Sequence, residues 1–326
     1  MSNKIDIAIS YFGKPFQTIA TIHSILAHSQ QHIDHIYVSI ERQQPYQDAW
    51  KEVFRIKQLF QHKGLKLYFS TAFMPHEIDK DPANYSPEQA LNFRYEYAFR
   101  KSNKKLLLVL HNDMLFERDV VGDMIKRFEN RMDTLMGVGL LGQCWNCPAF
   151  FDNKCSSTIF PAYRPSTEEA IHLYESHQTP RKALAMKRLA KEKAFPMPEC
   201  RLNEHLCLIN VDLYREACYP NGTAPYFGGI WDGTDTCTEW FYDVVNKGYQ
   251  FENFDWSKGA IHAPFSSSKS GMGADSRRDI YDDIEAQSKA YIIENYELGS
   301  LSLAIQLEKM VFVMKKKLGQ LRMKLR

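Results

Sequence analysis

The chain has 326 residues, of which 44% are hydrophobic and 13% aromatic, so it can form one large α/β domain with appendages. Its formal net charge of +2 gives no strong overall field, which argues against a nucleic-acid partner. No apolar segment typical of a signal peptide follows the first Met, and no apolar stretch approaches the roughly twenty residues that span a bilayer. We therefore expect a cytoplasmic protein whose seven cysteines are reduced thiols.

Strands and helices alternate through the first third of the chain. Strands are predicted at residues 5–10, 36–40, 65–70 and 106–110. Helices are predicted between them at residues 16–28, 46–62 and 87–100. Such alternation indicates right-handed βαβ units and a parallel sheet.

The rest of the chain is less regular. The predicted elements, in order, are a helix at 119–131, strands at 136–143 and 206–211, a helix at 235–247, short edge strands at 249–255 and 260–263, and helices at 279–296 and 300–326. Residues 144–200 break the alternation and are interpreted as an insertion. We expect a main domain at residues 1–265, a flexible lid loop at 266–278 and C-terminal helices at 279–326.

The central strand carries the strongest chemical signal. Five apolar residues at 106–110 are followed at once by His111, Asn112 and Asp113. Ligands of open α/β sheets bind beyond the carboxyl ends of such strands. Asp113 can therefore hold Mg²⁺ or Mn²⁺ against a phosphate, or alternatively cap the following turn. His262, at the end of a late strand, is a candidate second ligand that suits Mn²⁺, or a half-buried structural histidine.

Two further segments carry charge in a suggestive pattern. Asp232 and Asp235 precede a predicted helix, where carboxylates also stabilise the helix dipole. Glu239 lies deeper in that helix and can serve as a general base. The loop at 266–278 holds Lys269, Arg277 and a further arginine, which suits either a lid over a diphosphate or an ordinary solvated loop.

Four segments in this order resemble the GT-A-fold glycosyltransferases, most closely the family-two-like bacterial enzymes. They are IDIAISYFGKP, LLLVLHNDMLF, GGIWDGTDTCTEWFYDVVNKGYQF and AIHAPF. They resemble, respectively, the nucleotide loop, the strand with the Asp-x-Asp motif, the acceptor loop with its catalytic helix, and the strand with a metal-ligand histidine. The resemblance implies an α/β GT-A (Rossmann-like) fold with a mostly parallel central sheet flanked by helices, plus a C-terminal helical extension.

The resemblance also implies a reaction. It implies transfer of a hexose from a nucleotide-diphosphate sugar, with a UDP-sugar favoured, to a hydroxyl of a glycan or lipid-linked acceptor. Such a step belongs to surface polysaccharide or lipopolysaccharide synthesis.

Site roles follow from the same resemblance, residue by residue. Asp113 and His262 are the implied ligands of Mn²⁺ or Mg²⁺. The implied donor-binding residues are Tyr11, Glu41, Arg94, His111, Asn112, Lys269 and Arg277. The implied acceptor-binding residues are Gly229 and Trp231.

The sequence departs from the family pattern at two places. His111 replaces the first acid of Asp-x-Asp, and Thr236 and Cys237 replace the usual Glu-Asp pair. We expect Glu239 to be the base, followed by Asp235 and then Asp232. An inverting and a retaining mechanism both remain open.

Two other functions are considered. A sugar-nucleotide nucleotidyltransferase uses a related sheet but needs a Gly-rich basic loop after the first strand. Residues 11–15 hold only one Gly and one Lys, which argues against this function. A non-catalytic nucleotide- or glycan-binding module fits the two departures and predicts donor binding without turnover.

One cysteine pair and the last helix carry further patterns that could bind a ligand or a surface. Cys144-x-x-Cys147 could bind zinc with Cys155 or Cys200, but no second pair with zinc-finger spacing follows, so zinc is not expected. The helix at 300–326 has an apolar stripe and a basic face, which predicts binding to an anionic membrane surface at the inner face of the cell membrane, self-association, or packing on its own domain.

Overall fold

The computed structural model describes residues 4–72, 81–267 and 273–324. The strands within these ranges are β1 (Ile5–Tyr11), β2 (Ile33–Ile40), β3 (Leu65–Phe69), β4 (Leu106–Leu110), β5 (Met114–Phe116), β6 (Leu135–Leu141), β7 (Leu202–Asn210), β8 (Gln250–Asn253) and β9 (Ala260–His262). The α-helices there are α1 (Pro15–Ser29), α2 (Ala49–Phe60), α3 (Pro87–Ala90), α4 (Glu96–Lys101), α5 (Val120–Lys126), α6 (Pro148–Phe151), α7 (Thr167–Ser176), α8 (Lys182–Leu189), α9 (Val211–Ala217), α10 (Thr238–Asn246), α11 (Arg278–Asn295) and α12 (Leu303–Lys324).

Seven strands form the central sheet in the order β3-β2-β1-β4-β7-β6-β8. β7 runs antiparallel to both of its neighbours, β4 and β6, whereas the other pairs are parallel. β5 and β9 form a separate antiparallel pair. The predicted fold class, a mostly parallel α/β sheet of the GT-A (Rossmann-like) kind with flanking helices and a C-terminal helical extension, is confirmed.

The sheet separates two apolar cores, with β4 between them. Every residue of β4 is buried, and alternate side chains enter opposite cores, Leu108 on one face and Val109 on the other. A strand buried on both faces must be apolar throughout, which explains the unbroken run at this position. β4 therefore fixes the position of the polar residues that follow it.

The prediction of one helix at residues 87–100 is wrong, because the chain breaks between α3 and α4. The side-chain oxygen of Asn92 accepts hydrogen bonds from the backbone N–H groups of Thr71 and Ala72, at 2.7 and 3.2 Å. Arg94 forms a β-bridge with Gly228, where a Cβ atom would lie 1.9 Å from the Arg94 carbonyl oxygen. Tertiary contacts thus override helix propensity here, and they turn Arg94 toward the sheet edge.

The predicted start of the helix at Asp235 is also wrong. α10 begins at Thr238, because Cys237 adopts a left-handed φ of 71° and donates its backbone N–H to the carbonyl of Phe227. Asp235 therefore lies in the preceding loop and not in the first turn of the helix.

α12 covers β3 and α2 with part of its surface. Phe312 packs against Phe69 and Phe54, with ring centroids 4.9 and 5.5 Å apart. Its exposed apolar side chains are Leu303, Leu307, Met310, Val311 and Met314. Among the described helices, none combines the length and the hydropathy required to cross a membrane.

α11 completes the amino-terminal end of α1. Lys14, which precedes α1, offers no side-chain cap, and the backbone N–H groups of Phe16 and Gln17 donate instead to the carboxylate of Glu285, at 2.9 and 3.2 Å. Burial raises the pKa of Glu285 to about 7, although these two N–H groups and Lys14 oppose the shift. The loop between β1 and α1 is therefore fixed by the C-terminal part of the chain.

We expect Glu285 to make stability depend on pH. Its pKa is raised from 4.5 to about 7, so the folded state binds the extra proton between those values. The free energy of unfolding should therefore fall by about 3 kcal/mol as the pH rises through this window, and Glu285→Gln should remove that part of the slope. Urea unfolding at a series of pH values measures it.

The matched control is Glu294→Gln, an exposed position on the same helix. It should leave the wild-type slope unchanged. Parallel pH profiles for wild type and Glu285→Gln would contradict the assignment.

Candidate active site

The site is built around the buried carboxylate of Asp113, directly after β4 and only 3% exposed. Its Oδ1 lies 3.4 Å from His262 Nε2 and 3.6 Å from His111 Nδ1, and its Oδ2 lies 3.6 Å from Lys14 Nζ. The β5–β9 pairing sets Met114 opposite His262, and Ala263 donates its backbone N–H to the Asp113 carbonyl at 2.7 Å. Three segments distant in sequence thus meet at the carboxyl end of β4.

The reversed strand β7 brings two further residues to this edge. Because β7 is antiparallel, its first residues lie beside the last residues of β4, and His111 donates its backbone N–H to the His205 carbonyl at 3.0 Å. The His205 ring stacks on His262 with centroids 4.3 Å apart. Glu204 Oε1 lies 3.6 Å from His111 Nε2. His111 therefore sits between two carboxylates.

Burial and neighbouring charges oppose one another in setting the pKa values of Asp113 and His111. Burial raises the pKa of Asp113, but His111, His262 and Lys14 outweigh it and hold that pKa well below its usual range. Burial lowers the pKa of His111, but Asp113 and Glu204 raise it to about 9. Burial and the neighbouring charge of His111 lower the pKa of His205 to about 3, so its imidazole is neutral.

These residues fit a divalent metal ion. The nitrogens of His111, His205 and His262 lie within 4.8 Å of one another. Oδ1 of Asp113 is buried and has no hydrogen-bond partner among the described residues. A carboxylate with imidazole nitrogens is a donor set that Mn²⁺ accepts, and the position is the one expected for Asp113 and His262.

The predicted donor residues lie around the same sheet edge. Arg94 Nε pairs with Glu41 Oε1 at 2.9 Å, at the end of β2. The Asn112 side chain donates to the Gly13 carbonyl and to Thr18, both at 3.0 Å, and so ties the end of β4 to the first loop. Tyr11 is fully buried, and its hydroxyl donates to the carbonyl of Ala49 at 2.7 Å.

The three candidate bases have different surroundings. Glu239 is buried between Arg188 and Lys193, whose Nζ lies 2.7 Å from its Oε2. Asp232 pairs with Lys191 at the surface. Both pairs are made with residues of the insertion at 144–200.

Asp235 is the candidate base connected to the Asp113 cluster. Its Oδ2 lies 3.0 Å from Arg201 Nη1, and the same Nη1 lies 3.2 Å from Glu204. Gln143 donates to Asp235 at 3.2 Å. Glu204 in turn contacts His111, so two side chains connect Asp235 to His111.

The other predicted site residues lie apart from this cluster. Trp231 is buried, stacks near Phe93 with centroids 5.3 Å apart, and donates its Nε1–H to the Tyr226 carbonyl. At Gly229 a Cβ atom would lie 2.5 Å from Trp231 Nε1, so the glycine permits that packing. Arg277 pairs with Asp279 at the exposed start of α11. Lys269 lies outside the described residues, so its predicted role stays a prediction.

Sequence reasoning missed Lys14, Arg201, Glu204 and His205. Three of these residues lie in the segment RLNEH, where charged and imidazole side chains precede the apolar run of β7. This segment becomes informative only when β7 is known to run antiparallel, since that direction places the start of β7 beside Asp113.

The comparisons with known proteins are distant. No protein-family model and no curated protein sequence matches the chain. A mannosyltransferase from Pyrobaculum calidifontis, solved with GDP-Man and Mn²⁺, aligns with 95% of this chain and 80% of its own at 9% identity and a TM-score of 0.44. Mouse xyloside xylosyltransferase 1 aligns with 78% of this chain and 86% of its own at 11% identity and a TM-score of 0.40.

A third similar structure, the bifunctional glycosyltransferase WbbM, aligns with 78% of this chain and 39% of its own at 12% identity and a TM-score of 0.40. All three neighbours are glycosyltransferases, but a similarity this low does not carry a function to another chain. The function of this chain must therefore be inferred from the site itself.

We expect Glu239→Ala to destabilise the fold strongly. Removal of the carboxylate leaves the buried charge of Arg188 and the half-buried charge of Lys193 without compensation, which costs about 3–5 kcal/mol of unfolding free energy. Urea unfolding measures this loss. The control Glu175→Ala, at an exposed position, should change the value by about 0.5 kcal/mol at most. An equally small loss in Glu239→Ala would show that the ion pairs are not formed.

Proposed function

We propose that the protein is a metal-dependent glycosyltransferase. It transfers a hexose from a nucleotide-diphosphate sugar, with a UDP-sugar favoured, to a hydroxyl of a glycan or lipid-linked acceptor. The observation that carries the proposal is the convergence of Asp113, His262 and His205 at the carboxyl end of the central strand. This is the place where an α/β sheet of this kind binds its ligand.

The chain's own residues prepare the site for a diphosphate. Asp113, His262 and His205 would hold Mn²⁺ or Mg²⁺, which when bound supplies positive charge to the leaving diphosphate. Lys14 lies on the first loop with its ammonium 3.6 Å from Asp113, and can contribute a second positive charge on the donor side. Glu41 and Arg94, paired at the end of β2, line the side of the sheet proposed for the nucleoside.

We assign the base to Asp235 in preference to Glu239. Asp235 is partly exposed, with 38% of its side chain accessible, so it can reach an acceptor hydroxyl. Arg201 and Gln143 hold its carboxylate in place. Glu239 and Asp235 each contact two cations, but only 8% of the Glu239 side chain is exposed, which leaves no open side for substrate. An inverting mechanism, which requires such a base, is therefore favoured over a retaining one.

The acceptor proposal includes a membrane location. The exposed apolar residues of α12 lie on a helix whose sequence is rich in lysine and arginine after Glu308. Such a helix supports peripheral binding to an anionic membrane, where a lipid-linked acceptor for polysaccharide or lipopolysaccharide synthesis would be available. Self-association through α12 is the other outcome that vesicle sedimentation and light scattering together would reveal.

We expect nucleotide release to require both a divalent metal and Asp113. Wild type is incubated with UDP-, GDP-, CMP- and dTDP-sugars, with and without Mn²⁺, and the freed nucleotide is measured. Asp113→Ala should lower kcat/KM at least about 100-fold, because it removes the carboxylate ligand, and His205→Ala should raise the Mn²⁺ concentration needed for half-maximal rate.

The control for Asp113→Ala is Asp133→Ala, an exposed aspartate that should retain the wild-type rate. Mn²⁺-dependent binding of a nucleotide sugar without turnover, even with glycan acceptors present, would support the non-catalytic binding module. Absence of nucleotide-sugar binding would refute the transferase and the binding module together.

We expect Asp235→Asn to slow the chemical step with little effect on donor binding. Loss of a general base lowers kcat about 10²–10⁴-fold while the KM for the donor stays near the wild-type value. Steady-state transfer to an acceptor measures both constants. The control Asp212→Asn, at an exposed position on α9, should behave as wild type. A wild-type kcat in Asp235→Asn would remove Asp235 from the mechanism and favour retention.

A further inference from the structure

Four of the seven cysteines line one cavity, and one of them, Cys200, is remote in sequence from the other three. Cys144 and Cys147 follow β6, Cys155 follows α6, and Cys200 immediately precedes β7. A Cβ atom at Gly142 would lie 3.2 Å from the Cys144 sulfur and 3.8 Å from the Cys200 sulfur, so these two thiols border the same glycine. The cavity is lined by all four thiols together with aromatic side chains such as Phe160 and Tyr174.

Burial raises the pKa of the Cys147 thiol to about 11 and that of the Cys200 thiol well above its usual range, and backbone amide groups oppose part of each shift. The amide groups of Ala149 and Phe150 donate hydrogen bonds to Cys147, and the amide of Arg201 donates to Cys200. Hydrogen bonds from backbone N–H groups stabilise the charged form of a sulfur ligand. The other three cysteines are buried in the second core, outside this cavity.

We propose that Cys144, Cys147, Cys155 and Cys200 bind one Zn²⁺ ion as a structural tetrathiolate site. Four thiolates in a tetrahedral arrangement, with Zn–S distances of about 2.3 Å, select zinc over the oxygen-preferring Mg²⁺ and Mn²⁺. This proposal departs from the expectation from sequence that zinc is not bound. The Cys-x-x-Cys pair has no second pair of its own kind, because Cys155 and Cys200 are brought to it by the fold.

Zinc binding requires the thiols to turn inward. The three imidazoles of the candidate active site have ligand atoms within 4.8 Å of one another, whereas the cysteines do not form such a group among the described residues. The proposed site therefore requires the four side chains that line the cavity to rotate until their sulfurs share one centre. Binding then releases the thiol protons, as it does at other structural zinc sites.

The site would hold the insertion at both of its ends. Cys144 and Cys147 lie at its start and Cys200 at its end, so one ion closes a long segment that has only short helices of its own. Cross-linking such a segment restricts the unfolded chain and stabilises the fold. The same segment carries the side chains of Arg181, Arg188 and Lys193, which pair with Asp235 and Glu239. The zinc would therefore also keep these cations beside the candidate base.

The metal content of the full-length protein tests the proposal. Protein purified without chelator, from cells supplied with zinc, should contain about one zinc ion per chain by elemental analysis. A mercurial thiol reagent should release that ion as the thiolates react. Replacement by Co²⁺ should give sulfur-to-cobalt charge-transfer bands and the intense d–d bands of a tetrahedral site. Protein without zinc that also fails to bind Co²⁺ in this way would overturn the proposal.

Variants separate this site from the imidazole cluster. Cys147→Ser and Cys200→Ser should each lose zinc, with affinity lowered at least about 10-fold, whereas Cys218→Ser, a buried thiol outside the cavity, should retain it. His205→Ala should also retain it. Loss of zinc in His205→Ala with retention in Cys147→Ser would overturn the proposal, and so would a mass 2 Da below that of the reduced chain, which indicates a disulfide. If the serine variants do not fold, the Co²⁺ spectrum of wild type decides.

Discussion

A buried carboxylate has to be neutralised, and the active-site end of the sheet is arranged around that requirement. Asp113 is almost fully enclosed, so its charge is compatible with folding only if cations or a metal ion approach it closely. Lys14 from the first loop, His111 from the end of β4 and His262 from β9 meet this need from three directions. The buried negative charge is also what the proposed metal site at this edge of the sheet requires.

The direction of β7 determines how far this network extends. An antiparallel strand between β4 and β6 brings its own first residues to the carboxyl edge, so Glu204 and His205 join the cluster and Arg201 connects it to Asp235. Positive side chains of the insertion then enclose the acids at the start of α10. In the proposed transferase, the parallel strands would build the donor half of the site, and the insertion would balance the charges of the acceptor half.

The central strand and part of the candidate site could be predicted from local sequence patterns. The features that were missed or wrongly predicted share one cause. The run at 106–110 identified the central strand, and the polar residues after it identified Asp113, because burial on both faces leaves a direct mark on sequence. His262 was identified from its position at the end of a late strand, and the resemblance of its segment implied the same role. The break before Arg94, the role of His205 and the enclosure of Glu239 all depend on contacts between segments remote in sequence. Propensity and periodicity carry no information about such contacts, so these features required the fold.

Because α11 caps α1, the start of α1 can reach its final structure only after most of the chain has been synthesised. Phe16 and Glu285 are separated by 269 positions, yet the first turn of α1 is complete only when they meet. During synthesis from the amino terminus, β1 to β4 can emerge and pair well before Glu285 exists. The loop that carries Lys14 must wait for one of the last segments of the chain, as expected of a contact with such high sequence separation. The segment that carries Lys14 is therefore among the first to be synthesised and among the last to reach its final structure.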